Sequence, residues 1–190
     1  MRPDRDETWL RVAVELARRS TCLRRGVGCV LLDDLGQVLA TGYNGRARGL
    51  PHCNEPTGFN FVYARGIDKS KPLTGQSTGE VDVHDHACPG ALRSDDKRWP
   101  SGHHLDTCEA IHAEQNALLQ CHDVRAIRTC YVTASPCLAC VKLLMNTGCR
   151  RIVFAARYAH DEAAQALWLK HAYSQKFGSR SWHLFEGDLR

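Results

Sequence analysis

Long apolar runs are missing from this chain. No stretch of about 18 apolar residues occurs, which excludes a helical membrane span at the level of sequence. The N-terminal segment is charged from its second residue and has no apolar core of the kind a secretory signal needs. Aromatic residues are sparse at 7%, and Lys+Arg (25) barely exceeds Asp+Glu (21), for a net charge of +4. That surplus is too small to argue for a nucleic-acid surface, and no run interleaves basic with aromatic residues. The expectation is a protein of the cytoplasm with no membrane partner and no nucleic-acid partner.

What the chain does have is ten cysteines and ten histidines in 190 residues. The length suits one domain with a real core. Without export, ten thiols are not expected to form a disulfide framework, and a reduced chain rich in Cys and His points to metal or thiol chemistry. Cys29, Cys121, Cys130 and Cys149 lie in apolar contexts and are expected to pack as small hydrophobes. His52, His122, His160, His171 and His183 are expected to be surface or packing residues.

Periodicity gives the elements. Trp9, Val12, Ala13 and Leu16 follow helical spacing, so a helix is predicted over 6–19. The runs 26–32 and 37–43 predict two strands joined by a turn at Asp33, Asp34 and Gly36. Residues 45–107 show no period and hold five of the seven prolines, a long insertion that needs something to pin it. Beyond it the pattern predicts a helix over 112–122, a strand over 129–133, a helix over 137–146 stopped by Gly148, a strand over 151–155, a helix over 159–173 and an edge strand over 181–185. This alternation predicts an α/β fold, a sheet covered by helices on both faces.

The chemistry lies in two short motifs. His112-Ala113-Glu114 is followed, 25 residues after His112, by Pro136-Cys137-Leu138-Ala139-Cys140. H-x-E with P-C-x-x-C is the signature of zinc-dependent nucleobase deaminases. Cys137 and Cys140 are three apart on a predicted helix, so they share a face, and the first turn of a helix favours thiolates. His112 supplies an imidazole. Three protein ligands leave one zinc position open, the mark of a catalytic site, where a water has its pKa lowered to roughly 7. Glu114 is not needed as a ligand and is free to move the proton, worth on the order of 10²–10⁴ in rate.

With these motifs in place, the sequence resembles deoxycytidylate deaminases of the cytidine deaminase-like superfamily, phage and viral forms in particular. The likeness covers about residues 8–160. It rests on Val27-Gly28-Cys29-Val30, Thr41-Gly42-Tyr43-Asn44-Gly45, Ile111 to Leu118 and Tyr131 to Cys137. The Gly-Tyr-Asn-Gly element separates this branch from those acting on tRNA adenosine or free nucleosides. The resemblance implies a three-layer α/β/α fold with a mixed sheet of about five strands. It implies zinc-dependent hydrolysis of dCMP to dUMP and ammonia, feeding dTMP synthesis, in a homo-oligomer, a hexamer by likeness, in the host cytoplasm if the source is viral. Asn44 would contact the deoxyribose, the Ala113 backbone the pyrimidine carbonyl, and the Ser135 carbonyl the exocyclic amine. Tyr158 would pack near the substrate, and Arg24 and Arg25 would meet the 5′-phosphate.

Relatives of this kind also imply nucleotide effectors, dCTP as activator and dTTP as inhibitor, with Mg²⁺ accompanying the triphosphate. Gly42, Tyr43, Gly45, Arg46 and Arg48 are the positions implied for them. Here Arg46-Ala47-Arg48-Gly49 replaces the family's small residue, Pro, any residue, Gly. That departure points to altered regulation or to more phosphate contacts. A second, structural Zn²⁺ is implied at Cys22, Cys53, Cys108 and Cys88, with His86 as the alternative to Cys88, pinning the insertion at about 46–108 of a single domain spanning 1–190. Three other readings remain: a deaminase of dCTP or of 5-substituted dCMP, a deaminase of bases in single-stranded nucleic acid or tRNA, and a zinc-stabilised binding module without turnover.

Overall fold

Strands whose every residue is apolar need cover on both faces, and the computed structural model of the chain supplies it. It describes residues 2–53, 108–170 and 178–189. Helix α1 (Arg5–Ala17) leads into β1 (Gly28–Leu32), β2 (Val38–Tyr43) and a two-residue strand β3 (Gly45–Arg46). After the insertion come β4 (Ala110–Ile111), α2 (Ala113–Gln120), β5 (Thr129–Ala134), α3 (Leu138–Met145), β6 (Arg151–Ala156), α4 (Glu162–Lys170) and β7 (Ser181–Leu184). The main sheet runs β2-β1-β5-β6-β7. β1 is antiparallel to both its neighbours, whereas β5, β6 and β7 are parallel. This is the expected mixed five-stranded sheet in a three-layer α/β fold.

The alternation of side chains along each strand divides the core. Val30, Leu32, Tyr131 and Val153 pack under α1 with Leu10 and Ala13. Cys29, Leu31, Cys130, Val132, Ile152 and Phe154 point to the other face, beneath Ala113 and Ala117 of α2, Val141 and Leu144 of α3, and Ala164 and Trp168 of α4. Asp4 caps α1, its carboxylate accepting the Glu7 N–H at 2.7 Å. On the α1 face one polar clip crosses the layers. Arg151 Nη1 donates to Asp6 Oδ1 at 2.7 Å, and the Tyr131 hydroxyl donates to the same oxygen at 2.8 Å. Burial resists ionisation of Asp6, but the Arg151 and Tyr131 hydrogen bonds outweigh it and hold the carboxyl below its ordinary range.

Two expectations need correcting. Helix α3 starts at Leu138, not 137: Cys137 is its N-cap, with extended backbone (φ −72°, ψ 169°). Gly148 does not stop that helix, which is capped by Asn146. A Cβ at Gly148 would fall 1.9 Å from the Arg125 carbonyl, so its role is to let two loops touch.

The ribbon of β3 and β4 has no counterpart in the sequence pattern. Gly45 pairs with Ile111 and Arg46 with Ala110, antiparallel. An Arg46–Glu109 ion pair reinforces it, and Arg46 Nη1 donates to the Pro51 carbonyl at 3.1 Å. The two ends of the insertion are therefore tied together, one residue ahead of His112. Cys88 and His86 lie outside the described residues, as does His171. No helix among the described residues is long and apolar enough to cross a membrane.

Candidate active site

Two helix N-termini meet at one place. His112 is the N-cap of α2, its backbone extended (φ −70°, ψ 156°), and Glu114 sits in the first turn. Cys137 is the N-cap of α3 and Cys140 lies in its first turn. His112 Nδ1 is 3.5 Å from Cys137 Sγ and 3.4 Å from Cys140 Sγ. Donor atoms of the three residues all lie within 4.8 Å of one another. A nitrogen and a sulfur at ordinary zinc distances and a tetrahedral angle are about 3.6 Å apart, so this donor set fits zinc.

Electrostatics agree with the geometry. The Cys137 thiol is pulled down to about 4 by its hydrogen bond from Cys140 and then by His112, against the cost of burial. Cys140 is pushed up, first by Cys137 and then by burial. The opposite shifts come from one shared hydrogen bond, and a dication would take both sulfurs as thiolates. His112 is shifted up, mainly by its bond to Cys137, against burial. Glu114 is 4% exposed, and burial pushes its carboxyl up to about 7. That value suits a group that must take and return a proton near neutrality.

The orientation of α2 depends on Gly42. A Cβ there would lie 2.3 Å from the Ala113 carbonyl oxygen and 2.5 Å from the Ala117 nitrogen. Only a glycine lets α2, with His112 and Glu114 on its first turn, rest on β2. Asn116 Nδ2 donates to the Tyr43 carbonyl at 2.8 Å, and Gln120 Nε2 to the Thr41 carbonyl at 3.1 Å, so α2 also bonds to the edge strand. Gln115 Oε1 accepts the His112 N–H at 2.9 Å and fixes the ligand's backbone. The sequence reading missed these three residues. The signals were the N3 spacing of Gln115 from His112 and the i, i+4 spacing of Asn116 and Gln120.

The rim gathers most of the other expected residues. Ser135 is buried, and its Oγ accepts the Tyr158 N–H at 2.7 Å. The Arg25 guanidinium lies 5.8 Å from the Tyr158 ring centroid. Burial raises the Tyr158 hydroxyl, with Arg24 and Arg25 opposing it and Cys137 reinforcing it, so these groups share one field. Asn44 is buried and clamps the Arg25–Val27 turn. Its Oδ1 accepts the Val27 N–H at 2.7 Å, and its Nδ2 donates to the Arg25 carbonyl at 2.8 Å. Ala113 is buried on the first turn of α2.

Among the expected effector positions, Gly42 and Gly45 are buried, Tyr43 and Arg48 are exposed, and Arg46 is tied to Glu109. Of the implied second metal set, Cys53 is buried, and Cys22 and Cys108 are half-buried. Cys29, Cys130 and Cys149 are core residues with no exposure, as expected, while Cys121 is half-buried against the same core.

Three convergent protein donors at two helix N-termini, with a buried acid on the same turn as one of them, define a metal centre of the catalytic kind. The family described as the cytidine and deoxycytidylate deaminase zinc-binding region matches residues 3–156, and the chain belongs to it. A deoxycytidylate deaminase of Mycobacterium phage D29 is 36% identical over 154 residues, covering 80% of this chain and 95% of the phage protein. The deoxycytidylate deaminase of Saccharomyces cerevisiae is 32% identical over 164 residues, covering 85% of this chain but 41% of the yeast protein. The chain thus matches about two fifths of that yeast relative's length. Among solved structures, dCMP deaminase from the cyanophage S-TIM5, crystallised with dCMP and dUMP, shares the fold. Its TM-score is 0.56 at 19% identity, covering 97% of this chain and 99% of that one.

Proposed function

We propose that this chain is a zinc-dependent deaminase that hydrolyses dCMP to dUMP and ammonia. The observation that carries this reading is the placement of Glu114, shut away from solvent on the same helical turn as His112, beside Cys137 and Cys140. Zinc, when held by His112, Cys137 and Cys140, would supply Lewis acidity and an activated water. Glu114 takes a proton from the attacking water and delivers it to ring N3, then passes a second to the departing amine. Water adds at C4, the C4–N4 bond breaks, and ammonia leaves. The Ala113 backbone holds the pyrimidine carbonyl, and the Ser135 carbonyl accepts the exocyclic amine. Tyr158 covers the ring. Asn44 serves the deoxyribose, and Arg24 and Arg25 serve the 5′-phosphate, for which a guanidinium fork is suited.

The substrate assignment is supported by the names of the relatives and by two arginines at the rim. The finer parts of the proposal are a second Zn²⁺ at Cys22, Cys53, Cys108 and Cys88 or His86, and effector nucleotides with Mg²⁺ near Tyr43, Arg46 and Arg48. Assembly into a homo-oligomer, a hexamer by likeness, and a cytoplasmic location complete it.

The test is ammonia release from dCMP, dCTP, 5-methyl-dCMP and CMP by the zinc-loaded chain. dCMP is expected to turn over fastest. Glu114→Gln is expected to keep one catalytic zinc and the fold while losing about 10²–10⁴ in rate. A Glu114→Gln protein that deaminates at the wild-type rate overturns the mechanism, and preference for dCTP overturns the substrate.

A further inference from the structure

The parallel strands carry the zinc centre beyond their C-terminal ends. At their other ends three arginines precede three adjacent strands: Arg128 before β5, Arg150 before β6 and Arg180 before β7. The ladder continues through them. The Arg150 N–H donates to the Arg128 carbonyl at 2.9 Å, and the Ser181 N–H to the Arg150 carbonyl at 2.9 Å. The three therefore stand in one row, about 4.8 Å from strand to strand. Like charges side by side on a sheet are destabilising unless something compensates them.

Arg150 and Arg180 turn to main-chain carbonyls. Arg150 Nη1 bonds only to carbonyls, those of Cys149 at 2.8 Å and Thr147 at 3.4 Å. Arg180 Nη2 reaches the Met145 carbonyl at 3.4 Å. The contrast with the next residue is sharp: Arg151, on the opposite face of the sheet, has Asp6 and the Tyr131 hydroxyl. Arg180 is 9% exposed, its guanidinium held 4.9 Å from the Trp168 ring centroid. Stacking places that cation but does not satisfy its N–H groups. Arg180 Nε, just ahead of β7, and Trp182 Nε1, on it, are both buried without an acceptor. Burial, and after it Arg150, lowers the Arg180 pKa, as expected of an uncompensated cation.

We propose that Arg150 and Arg180, with Arg128 at the exposed end of the row, form a binding site for a phosphoanion, a di- or triphosphate group, at the end of the sheet opposite the zinc centre. A multivalent oxyanion would offset the repulsion between the guanidiniums and give their terminal N–H groups a charged acceptor. The site is independent of the deaminase assignment, since it shares no residue with it.

The test uses the full zinc-loaded chain and inorganic triphosphate, followed by titration calorimetry and by tryptophan emission, for which Trp168 is a reporter in contact with Arg180. Saturable binding is expected in the wild type and in Glu114→Gln alike. Arg150→Gln combined with Arg180→Lys is expected to weaken it at least tenfold, because lysine keeps the charge and stem but lacks the fork and Nε donor. Should that protein not fold, Arg128→Gln with Arg150→Gln, at the more exposed end, is expected to lose several-fold. Unchanged affinity in the arginine variants, loss of binding in Glu114→Gln, or uptake of RNA duplex but not of triphosphate each overturns the proposal. A parallel titration with a nucleoside triphosphate separates the sources: equal affinity means that only the phosphates are read, and tighter binding means that the nucleoside is contacted too.

Discussion

Two sets of thiols lie within one core and behave oppositely. Cys137 and Cys140 sit at the start of α3, while Cys29, Cys130 and Cys149 lie deeper, under the same helices. Cys140 is as completely buried as the other three, so burial is not what distinguishes them. Cys29 and Cys130 face each other across β1 and β5, sulfurs 3.6 Å apart. Burial raises Cys29 and Cys149, and the Cys29 contact together with burial raises Cys130. Cys137 goes down instead, because a second thiol donates to it, an imidazole faces it and a helix begins at it. A cysteine is readied as a ligand by the helix that begins beside it.

The comparison can be broken most strongly at the ligands. Cys140→Ser is expected to lower zinc content by one equivalent per chain and to abolish turnover, read by metal analysis and ammonia release. Zinc content equal to wild type would mean that the sulfur at this position is not a ligand. Gly42→Ala comes next. Pushing α2 off β2 is expected to cost about 1–3 kcal/mol in chemical unfolding and about 10–100-fold in zinc affinity by chelator competition, since His112 moves with the helix. Zinc affinity equal to wild type would show that α2 can shift without moving its ligand.

Cys130→Ser sharpens the other side. A hydroxyl in that site, with only a thiol for company, is expected to cost about 1–3 kcal/mol while leaving zinc content at the wild-type value. Loss of zinc in this variant would join the two thiol sets into one. The smallest effect belongs to the α1 face, away from all five sulfurs. Asp6 is held below its ordinary pKa, so its contribution is complete above the unfolded value of about 3.9 and is lost as pH falls through the folded value. Asp6→Asn is expected to cost about 1–2 kcal/mol at pH 7. The gap to wild type should close in strong acid, with zinc binding unaffected at neutral pH.

How much of this was legible beforehand follows from the range of each signal. The zinc donors come in two local motifs, and each motif begins a helix, so spacing alone placed them. The inner strands were legible because burial on both faces leaves them largely apolar, as in Gly28–Leu32. The ribbon was not, because two-residue strands at Gly45–Arg46 and Ala110–Ile111 are too short to show a period. The arginine row was not, because Arg128, Arg150 and Arg180 become neighbours only through strand register. Asn44 was expected to face substrate, and the amide bonds that make it a clamp on the 25–27 turn are tertiary contacts that no spacing reveals.

The ribbon carries one more consequence. It brings the boundaries of the 47–109 segment to adjacent strands, about 4.8 Å apart. A segment anchored at a common doorway can be lengthened or trimmed at small thermodynamic cost, about 0.6 kcal/mol for each doubling. The ribbon therefore makes the length of this stretch cheap to change. An engineer could insert residues between Cys53 and Cys108 while the strand that leads into His112 keeps its path.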